Sequence, residues 1–232
     1  MSGQMRTGHK GTGPGAIAPD GCAVELWARM VANDEPDVVQ GAVPAGSSIL
    51  ELGSGAGRVT HPLVERGFAV TAVDESPEML ERISGARTVR STIEGLDLGD
   101  EKFDVVLLAS FLVHIADEKV RDGLLRTCRR YVRDGGQVLI QREDEGRHDG
   151  LPRERRHPAG YTVRVVSSEP VGDGVRSVHV EVRFDDATWT QTFLSRPMTK
   201  ERFEAHLDAA GLAVDEYLTD DGIWVRAVPK VP

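Results

Sequence analysis

The residues with the most chemical content lie together in Ile49-Leu50-Glu51-Leu52-Gly53-Ser54-Gly55-Ala56-Gly57-Arg58. A short apolar strand runs into a turn holding three glycines. Such a turn bends the chain sharply and keeps side chains away from a ligand that approaches the backbone. The helix expected after it aims its first amide N–H groups at the same space. Asp74 closes a second strand, 21 residues after Gly53. A carboxylate there can accept hydrogen bonds from both hydroxyls of a ribose, and Glu75 beside it can share the contact. Acid and turn together describe a site for a nucleotide-like ligand.

Two ligand classes use a turn of this kind. A dinucleotide fingerprint, Gly-x-Gly-x-x-Gly, needs glycine at its sixth position. Counted from Gly53 that position is Arg58, and counted from Gly55 it is Thr60. The chain also has no Tyr-x-x-x-Lys pair, so an NAD(P)-dependent oxidoreductase is the weaker reading. The segment ELGSGAG resembles instead the first motif of class I S-adenosylmethionine-dependent methyltransferases. The resemblance covers residues 20–143 well and the C-terminal helix and hairpin more loosely.

That resemblance implies roles for particular residues. Glu51, Gly53, Ser54, Gly55 and Gly57 embrace the methionine portion of the cofactor, and Asp74 with Glu75 holds the ribose. Met79 packs on the adenine, with a plain buried helix methionine as the alternative. Many members have an aspartate after the third strand that meets the adenine amino group. Thr92 stands in its place here, leaving the contact to Thr92 or to the backbone of Ile93. FDVVLLASFLVHI resembles the family's fourth strand, which puts Ser110 beside the cofactor, and RDGGQVLIQRE resembles the fifth.

Methyl transfer is an in-line displacement at a carbon that the sulfonium has already activated, so orientation supplies much of the catalysis. A base is needed only where the acceptor must lose a proton. His114, just past the fourth strand, is the first candidate, and its alternatives are a backbone-bonded or substrate-orienting histidine. Glu143, after the fifth strand, is the second. No metal-ligand spacing occurs, and no metal is expected. The expected cofactor is S-adenosylmethionine, leaving as S-adenosylhomocysteine. The expected partner is a small-molecule acceptor whose nucleophile is O, N or C. A non-catalytic binder of S-adenosylmethionine, or a regulatory relative, is the alternative.

The elements that must position these residues follow from periodicity. Residues 1–19 read as a flexible arm. A helix capped by Asp20 carries Val24, Trp27, Met30 and Val31 at helical spacing and ends at Pro36. Strands at 48–52, 68–74, 88–91, 103–110 and 137–141 alternate with helices at 59–66, from Ser76-Pro77, and around 120–132. The class is therefore α/β, a Rossmann-like doubly wound sheet that is mostly parallel. Residues 146–160 read as a loop carrying Arg153, Glu154, Arg155 and Arg156. Strands at 161–167, 178–184 and 188–194 form an antiparallel β-meander insertion. After a helix capped by Thr199, strands at 212–218 and 223–228 supply an antiparallel C-terminal strand. One methyltransferase domain, 20–232, thus has a core at 45–145 and 196–232. Its insertion at about 146–195 resembles a roof over an acceptor, and the helix at 20–35 resembles the family's N-terminal lid.

Composition bounds the partners. The 232 residues carry a formal net charge of -9, which argues against nucleic acid as the main substrate. No apolar run approaches the roughly 20 residues that cross a bilayer, and the N-terminus lacks the apolar stretch of a secretory signal. Cys22 and Cys128 lack the spacing of a redox pair, which fits the cytoplasm. Nothing in the sequence fixes an oligomeric state.

Overall fold

The computed structural model describes residues 5–144 and 146–230. The chain divides into two compact units. The larger comprises residues 32–144 and 198–232. It holds α2 (Glu35–Ala42), β2 (Ser48–Leu52), α3 (Thr60–Glu65), β3 (Ala69–Asp74), α4 (Pro77–Leu80) and β4 (Arg87–Arg90). β5 (Phe103–Leu108), a short 3-10 turn at Leu112–His114, α5 (Glu118–Tyr131), β6 (Val132–Gln141), α6 (Lys200–Ala209), β11 (Leu212–Tyr217) and β12 (Trp224–Pro229) complete it. Its seven strands lie in the order β11-β12-β6-β5-β2-β3-β4. The pairs β6/β5, β5/β2, β2/β3 and β3/β4 are parallel, whereas β12 runs antiparallel to β6 and to β11.

Both faces of this sheet are buried, which explains why its strands read as apolar runs. Leu50, Leu52, Val106 and Leu108 pack with Leu124, Leu125, Cys128 and Tyr131 of α5 and with Phe203 and Leu207 of α6. Ile49, Val105 and Leu107 form the opposite layer with Val39 of α2 and Leu63 of α3. Winding reverses at β2, since β3 follows it on one side and β5 lies on the other. A crevice for a ligand opens at the carboxyl ends of strands where the winding reverses. The glycine turn after β2 and the Ser110 loop after β5 sit at that point.

Several local expectations change. Pro36 opens α2 within its first turn instead of ending a helix; proline at that place loses no hydrogen bond. β6 starts at Val132 and includes Asp134-Gly135-Gly136, so α5 stops at Tyr131 before the glycines. Ser76 and Thr199 cap α4 and α6 as expected, accepting from the N–H groups of Met79 and Arg202.

The smaller unit comprises residues 1–31 and 145–197. It holds β1 (Lys10–Thr12), α1 (Val24–Arg29), β7 (Arg153–Arg156), β8 (Thr162–Gly172), β9 (Val175–Arg183) and β10 (Thr188–Ser195). The strands form one antiparallel sheet in the order β1-β10-β9-β8-β7. The three-stranded meander is thus extended by a strand on each edge. Lys10–Thr12, expected within a flexible arm, pairs with Thr190–Thr192, and the charged run at 153–156 pairs with β8 instead of looping. Charged, short strands at both edges hid their β character from an apolar-pattern reading. Asp20 accepts the N–H of Cys22 while Ala23 occupies the cap position of α1. Trp189 and Tyr161 anchor this unit's core with Leu26 and Val182.

Tyr131 is fully buried, and its hydroxyl both donates to the Leu96 carbonyl at 3.0 Å and accepts the Leu98 N–H at 2.9 Å. Tyr131→Phe should therefore destabilise the chain by about 1–3 kcal/mol, measured by urea denaturation, and an unchanged midpoint would contradict that reading.

Candidate functional site

The glycine turn is built by three left-handed residues with φ of +72° at Gly53, +56° at Gly55 and +87° at Gly57. The N–H groups of Gly53 and Ser54 both donate to the Val73 carbonyl at 2.9 Å, which ties the turn to β3. The three bare Cα atoms do different work. A Cβ on Gly53 would meet Leu112 Cδ1 at 2.6 Å, and one on Gly57 would meet His61 Cε1 at 2.7 Å. These two glycines admit neighbouring side chains of the fold. A Cβ on Gly55 would meet nothing within 4 Å, so Gly55 is where backbone faces open space for a ligand.

Asp74 ends β3 beside this turn. Its Oδ2 accepts the Gly55 N–H at 2.9 Å and its Oδ1 accepts the Ser76 N–H at 2.9 Å. One backbone bond on each oxygen fixes the carboxylate in place. Met79 is buried on α4. Ile93 reaches the same edge, its Cδ1 lying 3.7 Å from the Cβ position of Gly53.

Glu51 is 4 % exposed and accepts the Thr60 hydroxyl at 2.6 Å. Burial pushes its carboxyl up to about 7, against the lowering effects of the Thr60 bond and the Arg58 charge. Arg58 pairs with Glu35 at 2.7 Å, and both side chains are buried. Its other nitrogen lies 3.5 Å from the Ser110 hydroxyl. Ser110 and Phe111 both have left-handed φ, +55° and +60°. Strain of this kind persists only where the surroundings fix it; here the Ser110 N–H donates to the Gln141 side-chain oxygen at 2.8 Å.

His114 and Glu143, which the sequence separates by 29 residues, meet directly. The Glu143 N–H donates to His114 Nε2 at 2.9 Å, and His114 Nδ1 lies 3.5 Å from Glu143 Oε2. Because Nε2 accepts a hydrogen bond, the neutral ring carries its proton on Nδ1, facing the carboxylate. Both residues are almost fully buried. Thr92 Oγ1 accepts the Gly95 N–H at 3.2 Å, and the Glu75 carbonyl accepts from Arg90 at 3.4 Å. Among the described residues no three His, Cys, Asp or Glu side chains are grouped as metal ligands. No described helix is long and apolar enough to cross a membrane.

Residues 50–140 match the family model of a methyltransferase domain. That part of the chain is similar to methyltransferase domains. A 94-residue stretch is 39% identical to an uncharacterized methyltransferase of Mycobacterium tuberculosis, covering 38% of this chain and 39% of that protein. The match thus spans about two fifths of that relative's length. Among solved structures, an S-adenosylmethionine-dependent methyltransferase from Clostridium acetobutylicum superposes with a TM-score of 0.71 at 14% identity, over 89% of this chain and 97% of that one. The sugar N-methyltransferase KedS8 of a Streptoalloteichus species superposes with 0.67 at 22% identity, over 99% and 100%. These two likenesses establish a Rossmann-like methyltransferase fold.

The structure gathers Glu51, the glycine turn, Asp74, Ile93 and Ser110 at the carboxyl edge of β2, β3, β4 and β5. Sequence reasoning missed Glu35, Thr60, Leu112 and Gln141, which hold those groups from other elements. Arg58, adjacent to Gly57, offered the nearest signal, since a charge next to a glycine turn needs a partner. Glu51 gives the domain a pH signature. Its folded pKa is raised, so its contribution is fully present below its ordinary range near 4.5 and is lost as pH rises through about 7. Relative to wild type, Glu51→Gln should gain stability between pH 5 and pH 8 in chemical denaturation. A constant difference between the two proteins would contradict the raised pKa.

Proposed function

We propose that the protein transfers a methyl group from S-adenosylmethionine to a small-molecule acceptor. The observation that carries this reading is the Asp74 carboxylate, fixed by the Gly55 and Ser76 N–H groups beside a glycine that faces open space. The residues fit the cofactor. Gly53 to Gly57 offers backbone to its methionine portion, Asp74 and Glu75 offer acceptors to the ribose, Ile93 offers apolar surface to the purine, and Ser110 lies at the adjoining strand end. When bound, the cofactor supplies a methyl carbon activated by the sulfonium.

The remaining work is orientation and proton handling. We assign the proton-accepting role to Glu143 and a positioning role to His114. With Nε2 bonded to the Glu143 backbone, His114 takes a proton only if that bond opens. In its neutral tautomer it holds the Glu143 backbone and faces the same residue's carboxylate. The full-length likeness to a sugar N-methyltransferase supports a small hydroxyl or amine acceptor. The acidic net charge and the two free thiols, Cys22 and Cys128, support a cytoplasmic protein that does not act on nucleic acid.

Two measurements test these assignments. Asp74→Ala should weaken binding of S-adenosylhomocysteine by roughly 10- to 100-fold, the worth of hydrogen bonds to a charged group, while leaving the circular dichroism spectrum intact; unchanged affinity would remove the ribose role. With methyl-labelled S-adenosylmethionine and a panel of small hydroxyl and amine acceptors, label should pass to an acceptor, and Glu143→Gln should slow that transfer by about 100-fold or more with cofactor affinity unchanged. Full turnover in that variant would eliminate Glu143 as the base.

A further inference from the structure

His114 closes the 3-10 turn at Leu112–His114. A helical turn ends with carbonyls that its own amides do not reach. Here one side chain supplies the donors. Arg121, in the first half of α5, is fully buried, and its guanidinium reaches back to that turn. Its Nε donates to the Val113 carbonyl at 3.1 Å, and its Nη2 donates to the Ile115 carbonyl at 2.6 Å. The residues on either side of His114 are thus tied to one rigid group. His114 in turn accepts the Glu143 N–H at 2.9 Å. A line of contact therefore runs from Arg121 through the turn and His114 to Glu143.

The guanidinium has a third partner, which carries the line toward solvent. Its Nη1 lies 3.4 Å from Nε2 of His206 on α6. His206 Nδ1 lies 3.3 Å from Asp122 Oδ1, and its Nε2 lies 3.8 Å from Glu118 Oε1. Arg121 has only donors, so the neutral His206 ring accepts on Nε2 and carries its proton on Nδ1, toward Asp122. Arg202, one turn earlier on α6, stands 3.9 Å from Glu118. β11 also packs on α6, but its Asp215 and Glu216 pair with Arg226 and its Tyr217 bonds Glu204. A proton on His206 turns Nε2 into a donor, which ends its bond to Arg121 and sets two cations face to face.

We propose that Arg121 is a positioning residue for the His114–Glu143 pair, and that it holds the pair most firmly while His206 is neutral. The proposal rests on the reading of Glu143 as the proton acceptor. In a reaction whose catalysis is mainly orientation, the placing of that residue bears directly on turnover. The planar fork of arginine reaches two carbonyls and a ring nitrogen at once, which the single ammonium of lysine does not reproduce.

Amide exchange of the full chain, followed by NMR, tests the hold without any acceptor. In His206→Gln the side-chain oxygen still accepts from Arg121 but cannot titrate. Above the His206 transition the Glu143 N–H should exchange alike in the two proteins. Below it, the wild-type amide should exchange about three- to tenfold faster, the worth of one hydrogen bond. Both proteins share His114 and the intrinsic pH dependence of exchange, so the difference isolates His206. Equal exchange at every pH overturns the inference, because a contact that only packs α6 on α5 gives that result. Arg121→Lys, with its circular dichroism spectrum intact, should lose Glu143 protection by a similar factor at every pH, and wild-type protection there overturns the inference too. If that variant does not fold, the His206 comparison decides. With labelled S-adenosylmethionine and an acceptor that takes label, Arg121→Lys should lower kcat by about 10- to 100-fold with cofactor KM unchanged, and an unchanged kcat removes the positioning role. If exchange behaves as expected but no acceptor takes label, the hold on Glu143 stands and its proton-accepting role falls.

Discussion

The candidate site depends on one carboxylate held between two backbone amides. Asp74 bonds the Gly55 N–H through one oxygen and the Ser76 N–H through the other. The first bond joins the end of β3 to the turn after β2, and the second helps start α4. Because winding reverses at β2, this joint stands at the mouth of the crevice that the sheet cannot close for itself. A charge so placed, next to backbone that faces open space at Gly55, makes the edge suited to a ligand with a diol and a polar tail.

Around that joint, packing and strain fix the adjoining strand ends. Leu112 occupies the space that a side chain on Gly53 would need, so the loop after β5 and the turn after β2 cannot move independently. The same loop carries left-handed Ser110 and Phe111, held by Gln141 from β6, and leads to His114, whose ring is pinned by Glu143. The buried Arg58–Glu35 pair ties the far side of the turn to the start of α2. A buried pair of this kind contributes positional definition more than net stability, which suits a site whose chemistry is mainly orientation.

Much of this was legible in the sequence, and the reason is physical. Strands buried on both faces announce themselves as apolar runs, and β2, β3 and β5 were located to within two residues. Glycines with positive φ and an acid at a strand end have few other uses, so Gly53 to Gly57 and Asp74 stood out. The illegible part consists of contacts between elements distant in sequence. Nothing in the spacing shows that Thr60 would donate to Glu51, that His114 and Glu143 would meet, or that Gly53 makes room for Leu112 while Gly55 faces open space. The edge strands at 10–12 and 153–156 were hidden for another reason. They are held by backbone bonds to their neighbours, and their charged or polar side chains give no alternating pattern.

The central claim is that the joint at Asp74 and Gly55 is built for an adenosyl ligand carrying an amino-acid tail. Titration of the purified wild-type chain with S-adenosylhomocysteine, with NADH as the control, tests it most directly. The account predicts saturable binding of S-adenosylhomocysteine and none of NADH. Binding of NADH, or of neither ligand, would contradict it.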